Sequence, residues 1–176
     1  MNKLVIVING KGGVGKDALC DALKNTYRIK NVSTITPIKK IAAENGWNGE
    51  KDDKSRRFLA ELKRIFTEYN DLPTKYALEE YRDFLQDENR IMLVHIREGS
   101  EIKKFVESLH TPAITLLIKR SAIDNAEKYG NAADDEVENY PYDYVYHNDK
   151  GLLESSRCFT DFIASIMKNI FSQETF

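Results

Sequence analysis

Two hydrophobic periods alternate along the chain. Leu4–Ile8 (LVIVI) is a short, continuous, β-branched apolar run, the pattern of a strand covered on both faces. Residues Asp17–Tyr27 follow with Leu19, Ala22 and Leu23 at helical spacing. Val32–Thr36 reads as a second short strand ended by Pro37, and Ile38–Glu44 as a short helix. Asp53–Tyr69 is a strongly amphipathic helix, because Phe58, Leu59, Leu62, Ile65, Phe66 and Tyr69 recur at three and four. Asn70-Asp71-Leu72-Pro73 is a break, with Pro73 suited to the first turn of a helix running to about Asp87. Ile91–Ile96 (IMLVHI) and Ala113–Ile118 (AITLLI) are further buried-type strands, separated by a helix over Ser100–Leu109. Tyr144–Tyr146 is the last strand candidate and Leu152–Phe171 the closing helix.

Strands alternating with helices imply right-handed crossovers and a parallel sheet. The expected fold is three-layer α/β/α, with about five parallel strands. No repeat, low-complexity tract or Pro/Gly-rich linker divides the 176 residues, so residues 1–176 are expected to form one domain. Hydrophobic content of 41% and charge of 31% fit an ordinary globular protein. A net charge of −2 offers no global basic field, so neither nucleic acid nor an anionic membrane is an expected partner. The first strand begins at Lys3, and no apolar run approaches the length of a bilayer span, so a cytoplasmic location is expected. Cys20 and Cys158 lie in helical patterns without metal-ligand spacing and read as packing thiols.

The chemistry sits after the first strand. Gly10-Lys11-Gly12-Gly13-Val14-Gly15-Lys16 satisfies the phosphate-binding pattern G-x-x-x-x-G-K, placed between a strand and a helix. Its glycines let backbone N–H groups point inward at phosphate oxygens, at the N-terminus of the next helix. Lys16 adds a charge that can reach the β- and γ-phosphates of a bound nucleotide. Asp17 departs from the pattern, standing where a Ser or Thr hydroxyl usually ligates Mg²⁺. A carboxylate can take the same cation directly or across a water. Alternatively, it complements the helix N-terminus, and the two roles are compatible.

The string Gly15-Lys16-Asp17 in a small P-loop domain resembles the bacteriophage deoxynucleoside monophosphate kinases and the animal-type phosphomevalonate kinases. Both belong to the nucleoside-monophosphate-kinase branch of P-loop folds. The resemblance is strongest over residues 3–25. It returns in LVHIREGSEI, with Arg97, Glu98, Glu101 and Ile102 in matching places, and in the closing YDYVYHNDKGLLE. It implies ATP-dependent phosphoryl transfer, with Mg²⁺, to a small phosphorylated acceptor, most naturally a nucleoside or deoxynucleoside monophosphate.

Such a transfer needs in-line positioning and cations around the moving phosphoryl. Arg97 lies at the carboxyl end of its strand, where ligands bind in open parallel sheets. It is a candidate for catalysis and for the acceptor. Arg120 opens a polar segment, Ser121–Tyr140, where these kinases carry a lid, and is a candidate for the nucleotide and for catalysis. That lid is acidic (Asp134, Asp135, Glu136, Glu138) and lacks the arginines expected of the family. Arg56 and Arg57 open the long amphipathic helix, in the region of about residues 50–88 expected to capture the acceptor, where a guanidinium suits phosphate. Arg64 is a weaker candidate. No aspartate follows the third strand, where a metal-orienting carboxylate is common; His95 and Arg97 stand there instead. His95 reads as a core histidine, and with His110 and His147 it forms no zinc spacing.

Two other readings remain. Lys11 in KGGVGK is also found in dimerising partitioning ATPases, but their loop ends in Ser or Thr and no basic amphipathic C-terminal helix is present here. A nucleotide-binding module without catalysis is consistent with the acidic lid. The oligomeric state is open.

Overall fold

A computed structural model describes residues 2–124 and 137–172. Five strands form one parallel sheet: β1 (Leu4–Asn9), β2 (Ile29–Ser33), β3 (Ile91–His95), β4 (Ala113–Lys119) and β5 (Tyr144–His147), in the order β2-β3-β1-β4-β5. The strand order reverses beside β1, so its carboxyl end opens into the crevice where α/β sheets take ligands.

Alternation along the strands divides the core. Leu4, Ile6 and Ile8 of β1, with Ile91 and Leu93 of β3, pack against α1 (Lys16–Leu23) and the closing helix, numbered α7 (Leu152–Ser172). Val5 and Val7, with Met92, Val94 and Ile96, pack against α4 (Leu72–Gln86) and α5 (Gly99–Glu107). Strands buried on both faces are why the sequence shows apolar runs there rather than alternation. Among the described residues, no helix is long and apolar enough to cross a membrane.

The second strand lies earlier than its composition indicates. β2 pairs Ile29 with Ile91 and Ser33 with His95, so Thr36 and Pro37 open α2 (Thr36–Glu44) instead of closing a strand. Pro37 fits there because the first helical turn has no use for its missing N–H. Helix α1 also stops short, at Leu23, and the chain turns through Asn25–Tyr27 on hydrogen bonds to Ala22 and Leu23 carbonyls.

Helix α3 (Asp53–Asn70) is capped by Asp52, whose carboxylate accepts from Ser55 N at 2.7 Å. It packs chiefly on α2 and α4, outside the layer that covers the sheet. Consequently its apolar stripe stays partly in solvent: Phe58 is 42%, Ile65 50% and Tyr69 82% exposed. The one buried residue of α3 is Lys63.

Candidate nucleotide and phosphoryl-transfer site

The loop after β1 has the shape its glycines allow. A Cβ on Gly10 would stand 2.7 Å from the carbonyl oxygen of Ile118, so the loop can pass β4 only without a side chain there. Gly15, at φ 84°, serves as N-cap of α1 in the left-handed region. A Cβ there would meet Asn148 Nδ2 at 2.6 Å. Both constraints single out glycine for steric reasons.

Two asparagines hold this loop from opposite ends. Asn9 Oδ1 accepts from Gly10 N at 2.9 Å, while Asn9 Nδ2 donates to Arg97 O at 3.0 Å and to the Tyr142 hydroxyl at 2.8 Å. Tyr142 in turn donates to Val137 O at 2.7 Å. The end of β1 is thereby tied to the end of β3 and to the returning limb of the segment after β4. Burial pushes the Tyr142 hydroxyl up to about 12, against a smaller opposing effect of Asn9, so it stays protonated and keeps its donor. At the other end, Asn148 Nδ2 donates to Val14 O at 2.7 Å, and its backbone N–H to Lys119 O at 2.8 Å. Its Oδ1 is buried without a hydrogen-bond partner. A buried acceptor left unpaired costs stability, so the contact is not there for packing alone.

Around this cradle the expected residues separate into groups. Lys16 opens α1, and its ammonium lies 3.9 Å from the carboxylate of Asp17. The Asp17 side chain is 92% exposed, and no side chain caps α1 through a hydrogen bond. Its service to the helix is limited to charge in the first turn. Among the described residues no three acidic, His or Cys groups gather into a metal cage. An exposed carboxylate beside Lys16 nevertheless fits Mg²⁺, which takes one or two protein carboxylates and completes its shell with phosphates and water.

His95 is not the core histidine that its apolar strand implied. It is half-buried, and its Nε2 meets Asn31 Oδ1 at 2.8 Å, a pairing that places the ring hydrogen on Nε2. Burial, then the nearby Lys16 and Arg97 charges, push its pKa down to about 4, with Asp17 opposing. The ring is therefore neutral at physiological pH, and Lys16, Asp17, His95 and Arg97 share one electrostatic neighbourhood at the strand ends. In sequence the pieces of this set stand in two separate segments, and the sheet brings them together.

Arg120 is half-buried at the end of β4 and starts the short helix α6 (Ser121–Asp124). Ser121 N and Oγ donate to Asp149 at 2.7 and 2.9 Å, hydrogen bonds that hold the Asp149 carboxyl below its usual range, with a smaller contribution from Arg120. Ile123 lies 3.4 Å from where a Cβ on Gly13 would stand, so α6 runs over the loop. Asp134, Asp135 and Glu136 lie outside the described residues. Glu138 is described, and it does not face away as a solvated lid carboxylate. It accepts from Lys119 at 2.8 Å and pairs with Lys11 at 2.9 Å, and these two contacts hold its carboxyl low.

The acceptor candidates are differently placed. Arg56 pairs with Asp53 at 3.5 Å, and Arg57 Nε donates to Asp53 O at 3.3 Å, both exposed in the first turn of α3. Arg64 is taken up by Glu61 and Glu68 on its own helix. The residue of α3 that reaches the strand ends is Lys63. It pairs with Glu98 and, at 2.9 Å, with Glu101, which also accepts from Thr67 Oγ1 at 3.4 Å. Burial pushes Glu101 up to about 7, Glu98 adding to the rise against Lys63. Burial would raise Glu98 too, but Lys63 outweighs it and leaves that carboxyl below its usual range.

Asn9, Asn148, Tyr142 and Lys63 carry no motif of their own. Asn148 stood inside the quoted closing segment, yet an Asn before Asp in a turn is ordinary local chemistry. Its partner Val14 is 134 positions away.

No family model matches the chain, and no curated protein is similar to it in sequence. Solved structures are similar in fold. A dephospho-CoA kinase from Campylobacter jejuni shares 14% identity at a TM-score of 0.61, covering 96% of this chain and 99% of that one. A shikimate kinase from Aquifex aeolicus shares 12% at 0.56, covering 94% and 98%. A gluconokinase from Sinorhizobium meliloti shares 13% at 0.52, covering 98% and 97%. The chain has the P-loop α/β fold.

Proposed function

We propose that this protein is an ATP-dependent phosphotransferase that moves the γ-phosphoryl of ATP to a small phosphorylated acceptor, a nucleoside or deoxynucleoside monophosphate. The observation that carries the reading is the convergence of Lys16, Asp17, neutral His95 and Arg97 beside a sterically constrained phosphate loop. That small-molecule kinases stand among its fold neighbours supports the transfer chemistry, and the resemblance at Gly15-Lys16-Asp17 and Arg97 supports the nucleotide acceptor.

In this reading the loop amides of residues 10–16 surround the β- and γ-phosphates, and Lys16 bridges their oxygens. Asp17 holds Mg²⁺ or one of its waters; the ion, when bound, neutralises charge on the β- and γ-phosphates. Arg97, just past the end of β3, would compensate charge on the transferring group. His95, being neutral, adds no competing charge. Arg120, at the base of α6, would meet the nucleotide. Arg56 and Arg57 would join the acceptor only by leaving Asp53, and exposed pairs of that kind are weak enough to exchange, at about 0.2–1 kcal/mol.

The test is ADP release from Mg·ATP against a panel of nucleoside and deoxynucleoside monophosphates, phosphomevalonate and no acceptor, with Lys16→Ala as blank. Turnover with nucleotides and none in the blank is expected. ATP binding with a silent panel would favour a second reading, a non-catalytic nucleotide-binding module, for which the observation is the Glu138 carboxylate seated on Lys11 and Lys119. A partitioning-type switch draws less support, because Lys11 is engaged within its own chain.

A further inference from the structure

Helix α3 carries two rows of side chains outside its contact with the rest of the chain. Lys63 and Thr67 mark its inner side, where both reach Glu101. Beside them run Phe58, Leu62, Ile65 and Tyr69, spaced four, three and four, the spacing of a coiled-coil seam. Leu62 is half-buried, and Phe58, Ile65 and Tyr69 are exposed. Single exposed apolar residues are ordinary, but four in one continuous row mark a surface that meets another.

Along the solvent edge of this seam, Arg57, Glu61, Arg64 and Glu68 alternate in sign. Arg64 pairs with Glu61 at 3.1 Å and with Glu68 at 2.8 Å, and all three side chains are more than half exposed. Pairs of this kind are weak in water and exchange partners. The order of signs is its own complement when the helix is reversed: Arg57 falls opposite Glu68, and Glu61 opposite Arg64. The seam reverses onto itself as well, with Leu62 opposite Ile65 and Phe58 opposite Tyr69. The two alignments differ by two residues, about 3 Å along the axis, which arginine and glutamate side chains can span. A parallel pairing would instead set each charge against its own kind.

We propose that α3 is the contact surface of a homodimer, in which it pairs antiparallel with α3 of a second copy across a two-fold axis at the level of Lys63. Self-complementarity is what such an interface requires: if Leu62 meets the partner's Ile65, then Ile65 meets the partner's Leu62. The same symmetry sets Phe58 against the partner's Tyr69 and Glu61 beside the partner's Arg64. One helix from each copy is a small contact, in the class below about 1,200 Å² in total that forms weak, reversible complexes. The dimer therefore forms in the micromolar range. Because α3 packs chiefly on α2 and α4, outside the layer that covers the sheet, the fold of each copy does not depend on the contact. This inference stands independently of the phosphotransferase reading.

Sedimentation velocity from about 1 to 200 µM protein reads the outcome. The wild type should pass from monomer to a species of twice the mass as concentration rises. Ile65→Glu sets a charge at the centre of the seam and should raise the dissociation constant by about tenfold or more, with melting temperature unchanged. Leu153→Glu, at an apolar residue 88% exposed on α7, should leave association as it is. The charged row is tested by two further variants: Arg64→Glu makes it acidic, and Glu61→Lys with Glu68→Lys makes it basic. Each alone should associate more weakly than the wild type, and their equimolar mixture should recover a dimer. That mixture decides even if the Ile65 variant melts early. A wild type that stays monomeric throughout overturns the proposal and leaves the seam to a partner of another sequence. So does a dimer that Ile65→Glu leaves intact, and so does a mixture that associates no better than its components.

Discussion

Replacing Glu138 by glutamine removes an anion from the mouth of the phosphate loop, and the consequence for ATP can be worked from its two contacts. The carboxylate receives Lys119 at 2.8 Å and Lys11 at 2.9 Å. Bonds to charged groups contribute about 1.5–3 kcal/mol when sheltered. All three side chains here are between 23% and 32% exposed, so screening reduces each pair toward about 0.5 kcal/mol. The clasp is then worth about 1 kcal/mol, which ATP must displace to use Lys11, and 1 kcal/mol is about fivefold in Kd. Glu138→Gln should therefore bind ATP about fivefold tighter in titration calorimetry at low salt, with the gain shrinking as salt rises. An unchanged or weaker Kd, with the protein still folded, would refute the competition argument. It would mean that Glu138 orders the two lysines for the nucleotide instead of withholding them.

Other outcomes follow from the same site. Asp17→Ala should raise the Mg²⁺ concentration needed for half-maximal turnover, and Asp17→Ser should restore part of the loss; unchanged metal dependence in the alanine variant removes Asp17 from the metal's surroundings. Gly15→Ala meets both a positive φ and Asn148 Nδ2 at 2.6 Å, and should cost about 1–3 kcal/mol in denaturant unfolding. Asn148→Ala loses the Val14 bond but also an unpaired buried oxygen, so it should weaken ATP binding more than it lowers stability, as paired calorimetry and melting curves would show. Glu101 has a raised folded pKa of about 7, so the stabilising protonated form is fully present below about pH 4 and is lost as pH rises through 7. Glu101→Gln, neutral throughout, should gain in melting temperature relative to the wild type between pH 5 and 8; a pH-independent difference would exclude the titration.

Much of the fold was legible because period and sidedness agree. LVIVI and IMLVHI read as strands covered on both faces, and the structure has them so, while the loop glycines matched the phosphate-binding pattern of the fold. The errors have local causes. Val32–Thr36 carries β-branched residues, yet pairing with β3 sets the register of β2, and Pro37 is read equally well as a strand breaker or as a helix opener. The stripe of α3 was legible as amphipathic, but periodicity does not say whether an apolar face meets the sheet or only neighbouring helices. His95 illustrates the same limit at the site: an apolar strand surrounds it in sequence, while β2 supplies Asn31 and α1 supplies Lys16 in space. The ties of Asn9 and Asn148 depend on side chains finding backbone atoms far along the chain, which leaves no spacing to read.

That α3 lies on other helices and not on the sheet has an evolutionary consequence. Substitutions along Phe58, Ile65 and Tyr69 change surfaces already open to solvent, so they disturb neither face of the sheet nor the loop after β1. If the proposed activity holds, the fold separates the loop after β1 and the sheet around it from a helical region that can vary without disturbing them. Faces of α3 that are open to solvent can then drift one at a time, with Lys63 as the joint that ties the helix to Glu98 and Glu101.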